Sequence, residues 1–474
     1  MRAKIIASIG PASAGKEVLH EMIRRGMDVC RINFSHGSYD QYTKILKNIS
    51  SLAAQTKENI AVIADLQGPK IRVGTLPDAG LMLKDGQELI FTTDIKKKAV
   101  NTVYISYQHF AADVKPGEKI LLDDGKLMLQ VVSTNKKSEV KTKVLHGGLL
   151  TSHKGVNLPD TRISLPSLTA KDLADIKYIV TQDIQWVALS FVRSRADIKA
   201  LKKELAKYKM EQQIRIIAKI EKPEALKEID GIIEEADAIM VARGDLGVEV
   251  PLEQVPLIQK EIVRKCLSAG KPVIIATQMM ESMITNISPT RAEVNDVANS
   301  LLDGADALML SAETSVGKFP AEVVGTMHKI ILNIEANRES IYYKHFEPKD
   351  VKSGRFISDS VIYNACTLAK HTDATAIIAM THTGYSAFRL ASHRPKAGIF
   401  IFTSNLHLLR LLNLAWGVRG YYYDKFYSTD HTVADLKEYL KKHGIVKKGD
   451  RIVNVMSMPI QELGMTNTIK LSQV

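Results

Sequence analysis

Short apolar runs recur along this chain, each stopping abruptly at charged or polar residues, with helix-like sequence between them. Eight read as buried strands: Lys4–Ile9, Val29–Phe34, Ile60–Asp65, Trp186–Ser190, Arg215–Ile220, Ala238–Ala242, Val273–Thr277 and Ala307–Leu310. Their spacing is mostly that of successive βα units. Eight such units predict an α/β protein built on a (β/α)8 TIM barrel, with its active site at the C-terminal ends of the strands.

One interval breaks the rhythm: about 120 residues separate the third strand from the fourth. Within it, the alternating runs Glu88–Thr92, Lys119–Leu122, Leu127–Val132 and Val140–Val144 are punctuated by turns at Pro116-Gly117 and Asp123-Asp124-Gly125. This predicts a small β-barrel domain inserted at the catalytic end, placed to close as a lid. After about residue 345 the pattern restarts, with a helix over Ser358–His371. Strands follow at Ala376–Met380, Gly398–Thr403, Arg451–Met456 and Thr468–Ser472. The expected division is 1–68 with 166–342 for the barrel, 69–165 for the lid and 343–474 for a C-terminal α/β domain.

Composition narrows the class. Of 474 residues, 45% are hydrophobic and 24% charged, as in ordinary globular proteins. Cys30, Cys266 and Cys366 are odd in number and far apart, so neither a disulfide framework nor zinc spacing is present, and a reducing cytoplasm is expected. The N-terminus lacks a signal-peptide core. No apolar run approaches the roughly 20 residues that span a bilayer, so no membrane role is expected. The net charge of +12 invites a nucleic-acid reading. The lysines, however, are scattered or sit in short runs such as Lys96-Lys97-Lys98, without interleaved aromatics. Solvated faces and anionic metabolites explain the excess more simply.

The strand ends carry the chemistry. Lys219-Ile220-Glu221 ends the fifth strand, and Arg243-Gly244-Asp245 follows the sixth. A lysine and two carboxylates on neighbouring strand ends suit a metal-assisted reaction on an anionic substrate. Gly244 and Asp245 sit where a helix should start, so their N–H groups could receive a carboxylate, and a side chain at Gly244 would block that approach. Arg31 through His36 ends the second strand, with Arg31 offering a fork for phosphate. Asp65 through Arg72 ends the third, Thr277 through Met283 the seventh, and Ser311 through Thr314 the eighth. Gly10 through Lys16 matches phosphate-loop spacing, but Glu17 stands where that loop needs a Ser or Thr, and a carboxylate there would repel phosphate.

Arg31–His36, Lys219–Glu221, Ala242–Gly247, Ala276–Met283, Pro289–Glu293 and Asp303–Thr314 together resemble the pyruvate kinase family, from near the first residue to the last. The resemblance is to the bacterial type without an extra C-terminal phosphotransfer domain. It implies a cytoplasmic homotetramer that moves phosphate from phosphoenolpyruvate to ADP, giving ATP and pyruvate through an enolate, at the last step of glycolysis. By that resemblance Lys219 meets the phosphoryl group in flight and the enolate oxygen, while Glu221 and Asp245 hold magnesium or manganese. Arg31 grips the phosphate, Gly244, Asp245 and Thr277 contact the substrate, and Thr277 lies near the enolate face that takes a proton. Ser311 and Glu313 either belong to that proton relay or pack the barrel mouth. Arg72, His36, Pro11 and Lys154 lie toward the nucleotide. The alternative is another metal-dependent pyruvate or phosphoenolpyruvate barrel enzyme, such as an aldolase.

Two departures from the family stand out. Many relatives hold potassium with residues matching Asn33, Ser35 and Asp65 and a threonine where this chain has Leu66, and they carry a glutamate where it has Lys70. A lysine ammonium can take the electrostatic role of a monovalent cation, so potassium independence is expected, with Lys70 as the replacement. In the last domain, Thr381, His382, Thr383, Gly384 and Ser386 resemble the effector site for a sugar phosphate, the identity of the ligand (sugar phosphate or nucleotide) being open. The companion loop over 457–464 departs from the glycine-rich form, and Glu462 in it would oppose a bisphosphate.

Overall fold

The structure, a computed structural model, describes residues 1–97, 99–210, 213–348, 350–425, 428–458 and 465–474. Strands β1 (Lys4–Ile9), β2 (Val29–Asn33) and β3 (Ala61–Asp65) open it. The insertion then supplies β4 (Leu81–Leu83), β5 (Glu88–Thr92), β6 (Thr102–Tyr104), β7 (Lys119–Leu122), β8 (Leu127–Thr134), β9 (Glu139–His146), β10 (Gly148–Leu150) and β11 (Val156–Asn157). The first pattern resumes with β12 (Trp186–Leu189), β13 (Arg215–Ile220), β14 (Ala238–Ala242), β15 (Val273–Ala276) and β16 (Ala307–Leu310).

The eight strands outside the insertion close into a parallel barrel in the order β1-β16-β15-β14-β13-β12-β3-β2. Helices cover its outside and side chains fill its inside, which is why β1, β3 and β14 are buried at every position and read as unbroken apolar runs. All eight predicted strands are present. Three of them stop one residue early, leaving Phe34, Ser190 and Thr277 on the turns that follow.

The insertion pairs β11-β7-β8-β9-β5-β6 into one six-stranded sheet and β10 with β4 into a second. Single bridges from Arg72 to Gly155 and from Val73 to Ile105 join segment 72–73 to the chain beside both edges of the larger sheet and draw it toward a barrel. Its core of Phe91, Phe110, Ile120, Leu129 and Val140 is separate from the main one. A unit with its own core, joined to the barrel by short segments, can shift as a body.

The last domain sets β17 (Ala376–Met380), β18 (Gly398–Thr403), β19 (Val418–Tyr422), β20 (Arg451–Met456) and β21 (Thr468–Gln473) in the order β19-β18-β17-β20-β21, with β21 antiparallel. Strand β19 was not anticipated, because Arg419 and Gly420 interrupt its apolar run. The core of the barrel continues into this domain through Ile377, Ile401, Leu411 and Trp416. Among the described residues, no helix is long and apolar enough to cross a membrane.

Candidate active site

Lys219 is the penultimate residue of β13, and its side chain is almost buried at the barrel mouth. Its Nζ lies 2.8 Å from Ser190 Oγ, 3.0 Å from Glu221 Oε1 and 3.3 Å from Asp65 Oδ1. Arg31, the middle residue of β2, grips the other oxygen of Asp65 through Nε at 2.8 Å and a second nitrogen at 2.6 Å, and donates to Ser8 Oγ at 2.7 Å. Two cations thus converge on one buried carboxylate. That convergence requires β1, β2, β3, β12 and β13 to end at one level, which the parallel barrel register enforces.

The charges set one another. Burial would raise the Asp65 carboxyl, but Lys219 and Arg31 outweigh it and hold the group below its ordinary value of 3.8. Glu221 goes the other way: burial, reinforced by the negative charge of Asp245, raises it despite Lys219. Burial also works against the Lys219 ammonium, yet Asp65 and Glu221 hold it protonated. Because the folded value of Asp65 is depressed, its stabilising contribution is complete above 3.8 and is lost as the pH falls through the folded value. The urea midpoint of Asp65→Asn should therefore lie well below that of the unsubstituted chain at pH 6, with the gap narrowing toward pH 3. A constant gap across that range would deny the carboxylate this role.

The residues fit a hard divalent cation. Glu221 Oε2 accepts the Phe191 N–H at 2.8 Å, whereas buried Oε1 has only its charge pairing with Lys219 and no hydrogen bond of good geometry. Asp245, on the first turn of the helix Arg243–Glu249, acts electrostatically on both Glu221 and Lys219. Two carboxylates suffice for magnesium, which takes its other oxygens from substrate and water. No group of three or more His, Cys, Asp or Glu among the described residues forms a closed cage.

Thr277 and Gln278 follow β15 with φ of 70° and 54°, left-handed values that non-glycine residues adopt at a cost of order 1 kcal/mol. The turn brings Thr277 Oγ1 to 2.7 Å from the Gly244 N–H, which it accepts, while its own proton goes to the Ala276 carbonyl at 2.6 Å. The Gly244 N–H, expected to be open to a carboxylate, is therefore occupied by Thr277 here. A side chain at Gly244 would meet Thr277 Oγ1 at 3.2 Å, so the glycine is explained by this close approach. Arg243 holds the same turn, bonding both oxygens of Asp296 at 2.7 Å and the Thr277 carbonyl at 2.9 Å. Glu313 accepts the N–H groups of Ser311 at 2.6 Å and Met280 at 3.2 Å. Those bonds tie Glu313 to the backbone of the turns after β15 and β16.

The nucleotide candidates divide between two places. Arg72 and Lys154 meet across the seam of the insertion: the Val73 N–H bonds the Lys154 carbonyl, Arg72 bonds the His153 carbonyl at 2.9 Å, and Lys154 pairs with Asp123 at 2.8 Å. Pro11 and His36 are exposed on the barrel turns after β1 and β2. The Gly10–Lys16 turn is no phosphate cradle: the Ser13 and Ala14 N–H groups bond the Gly10 carbonyl, and Lys16 turns to Ser51.

The potassium-site candidates are only partly assembled. Asn33 Oδ1 accepts the Ser35 N–H at 3.0 Å, but Leu66 points into the core. Lys70 forms no side-chain hydrogen bond or ion pair with any described residue, and so does not join Asn33, Ser35 or Asp65. It runs beside Gly155 and lines the cleft under the insertion with Pro69, Asn157, Phe191, Lys222 and Asp245. A different lysine, Lys171, bonds the Phe34 carbonyl at 2.6 Å.

In the last domain, Gly384 has φ of 82° and donates to Thr381 Oγ1 at 2.9 Å, Thr383 Oγ1 faces the Tyr385 N–H, and Ser386 Oγ meets Thr466 Oγ1 at 2.9 Å. His382 lies in the same turn, before the helix Tyr385–Ser392. Glu462 and residues 459–464 of the companion loop lie outside the described residues.

Sequence reasoning assigned no role to Ser190, Ser8, the Phe191 N–H or Arg243. Ser8 and Ser190 carry the same signal used for the others, a polar residue at the end of a buried barrel strand. Arg243 and Phe191 act through turns whose geometry no pattern reveals.

A family model described as the pyruvate kinase barrel domain matches residues 1–324, and one described as the pyruvate kinase alpha/beta domain matches 359–472. Pyruvate kinase of Geobacillus stearothermophilus is 40% identical over 471 residues, covering 99% of this chain and 80% of that protein. Pyruvate kinase of Clostridium acetobutylicum is 39% identical, covering 100% of this chain and 99% of that protein. A solved pyruvate kinase structure from Cryptosporidium parvum superposes with a TM-score of 0.92 at 32% identity, covering 100% of this chain and 96% of that one.

Proposed function

The chain belongs to the pyruvate kinase family and is a phosphotransferase; on that premise we propose that it carries phosphate from phosphoenolpyruvate to ADP with magnesium or manganese, at the final step of glycolysis in the cytoplasm. The observation that carries this reading is the buried Lys219 set between Asp65 and Glu221, with Arg31 on the same Asp65. Phosphoryl transfer asks for positioning and charge neutralisation more than covalent chemistry, and this cluster offers both.

A terminal phosphate oxygen of ADP attacks phosphorus, and the bond from phosphorus to the enol oxygen breaks. Its electron pair stays on that oxygen as the enolate, where the Lys219 ammonium neutralises it. Arg31, held rigid by Asp65 and Ser8, presents its remaining face to the phosphoryl oxygens. A divalent ion on Glu221 and Asp245 would supply Lewis-acid neutralisation of substrate oxygens. The enolate carbon then takes a proton. Since the Thr277 proton is committed to Ala276, delivery falls to a water oriented by Thr277. The insertion carries Arg72 and Lys154 toward the nucleotide, with His36 and Pro11 on the barrel side.

Potassium independence is supported by the ion pairs that already neutralise Asp65 and by Leu66, which has no hydroxyl to offer a cation. Lys70, in the cleft beside Asp245, adds a positive charge near the reacting phosphate. A homotetramer and a sugar-phosphate or nucleotide effector at Thr381–Ser386 complete the reading.

The test is pyruvate formation from phosphoenolpyruvate and ADP with magnesium, in potassium-free buffer and again with potassium. Turnover should be equal within about twofold, and a chelator should abolish it. Turnover only with potassium would keep phosphoryl transfer and discard the role of Lys70. None in either buffer, with the protein folded, would overturn the proposed transfer.

A further inference from the structure

We propose that Ser190 is a positioning residue for Lys219, a role that rests on the reading of Lys219 as the group meeting the transferring phosphate. Ser190 is the first residue beyond β12 and is 3% exposed. Its Oγ lies 2.8 Å from the Leu66 carbonyl oxygen and 2.8 Å from Lys219 Nζ, with Asp65 Oδ1 further off at 3.4 Å.

An ammonium can only donate, so a lone pair of Ser190 faces Lys219, and the single Ser190 proton goes to the Leu66 carbonyl at 2.8 Å, the nearer of its two acceptors, rather than to Asp65 Oδ1 at 3.4 Å. The hydroxyl therefore does not rotate freely. Its anchor is fixed as well, because the Leu66 N–H is bonded to the Ala188 carbonyl at 3.0 Å across the barrel ladder.

Ser190 also differs in kind from the other two partners of Lys219. Asp65 is shared with Arg31, and Glu221 belongs to the cation-binding pair. Their hold on Nζ changes as charge enters and leaves the site. A neutral hydroxyl tied to the backbone keeps one N–H direction of Lys219 constant throughout. The next residue, Phe191, has φ of 55° and donates its N–H to Glu221 Oε2 at 2.8 Å. One two-residue turn thus aims both the lysine and the carboxylate. Gly68 gives that turn room: a side chain there would approach Ser190 Cβ to 2.9 Å.

The experiment is steady-state kinetics on Ser190→Ala with phosphoenolpyruvate, ADP and magnesium, beside the pair Ser190→Thr and Ser190→Val. Threonine and valine share a shape and differ only in the hydroxyl, so their comparison separates the hydrogen bond from packing. The alanine variant should lose about ten- to thirtyfold in kcat with KM for ADP within about twofold. The threonine variant should exceed the valine variant in kcat by about tenfold at an equal melting temperature. Equal kcat across that pair, or an alanine variant within about twofold of the unsubstituted kcat, would overturn the proposal. If the unsubstituted chain itself shows no turnover, the phosphoryl-transfer reading fails first and takes this one with it.

Discussion

Lys219→Met should lower kcat by about a thousandfold while leaving the chain folded. Methionine keeps most of the stem and removes the charge, so the change isolates the ammonium. The surroundings can absorb the loss. Asp65 keeps both bonds from Arg31, and Ser190 keeps its bond to the Leu66 carbonyl. Glu221, already raised by burial and by Asp245, can take up a proton once its lysine is gone. The site would then present phosphoenolpyruvate with Arg31 alone as its fixed cation, and the electron pair left on the enol oxygen would have no counter-charge. Steady-state kinetics beside a thermal melt reads both halves. A variant that kept a tenth of the parental kcat would remove Lys219 from the reacting centre.

The largest effect on stability is expected far from that site, where the last domain meets the bottom of the barrel. Arg394 is 1% exposed and bonds both Asp306 oxygens at 3.0 Å, together with the carbonyls of Ala391 and Gly304 at 2.7 Å. Its guanidinium also lies 4.9 Å from the Trp416 ring. Asp306 in turn receives the Val273 and Trp416 N–H groups. Arg394→Met should destabilise by about 3–5 kcal/mol, because it leaves a buried carboxylate and two carbonyls without their partner. Lysine should recover little of this, as it cannot fill a forked site. The shift of the urea midpoint measures it, and a change below about 1 kcal/mol would mean that the interface relaxes around the loss.

The barrel was legible because its strands are covered on both faces, so each one is a short, continuous apolar word ending in a polar letter. That pattern survives in a single sequence, and it is enough to place Arg31, Asp65, Lys219, Glu221, Asp245 and Thr277 at or near the C-terminal ends of barrel strands. It missed β19, whose apolar run is broken by Arg419 and Gly420. Lys70 shows what residue type leaves open: the sequence supplies a positive charge beside the cation-site motif, and only the fold places its side chain in the cleft lined by Asp245, without a hydrogen bond or ion pair to any described residue.

By itself the sequence determined which residues bear charge, where each barrel strand stops to within one residue and that an insertion interrupts the barrel, since these follow from local periodicity and residue chemistry. Tertiary structure alone decided that Lys219 would be shared among Ser190, Asp65 and Glu221, that Thr277 would take up the Gly244 N–H, and that Arg394 would lock onto Asp306. Those choices depend on strand register around a closed ring and on left-handed turns at Phe191 and Thr277. Both are set by contacts between residues distant in sequence, and no local pattern encodes them.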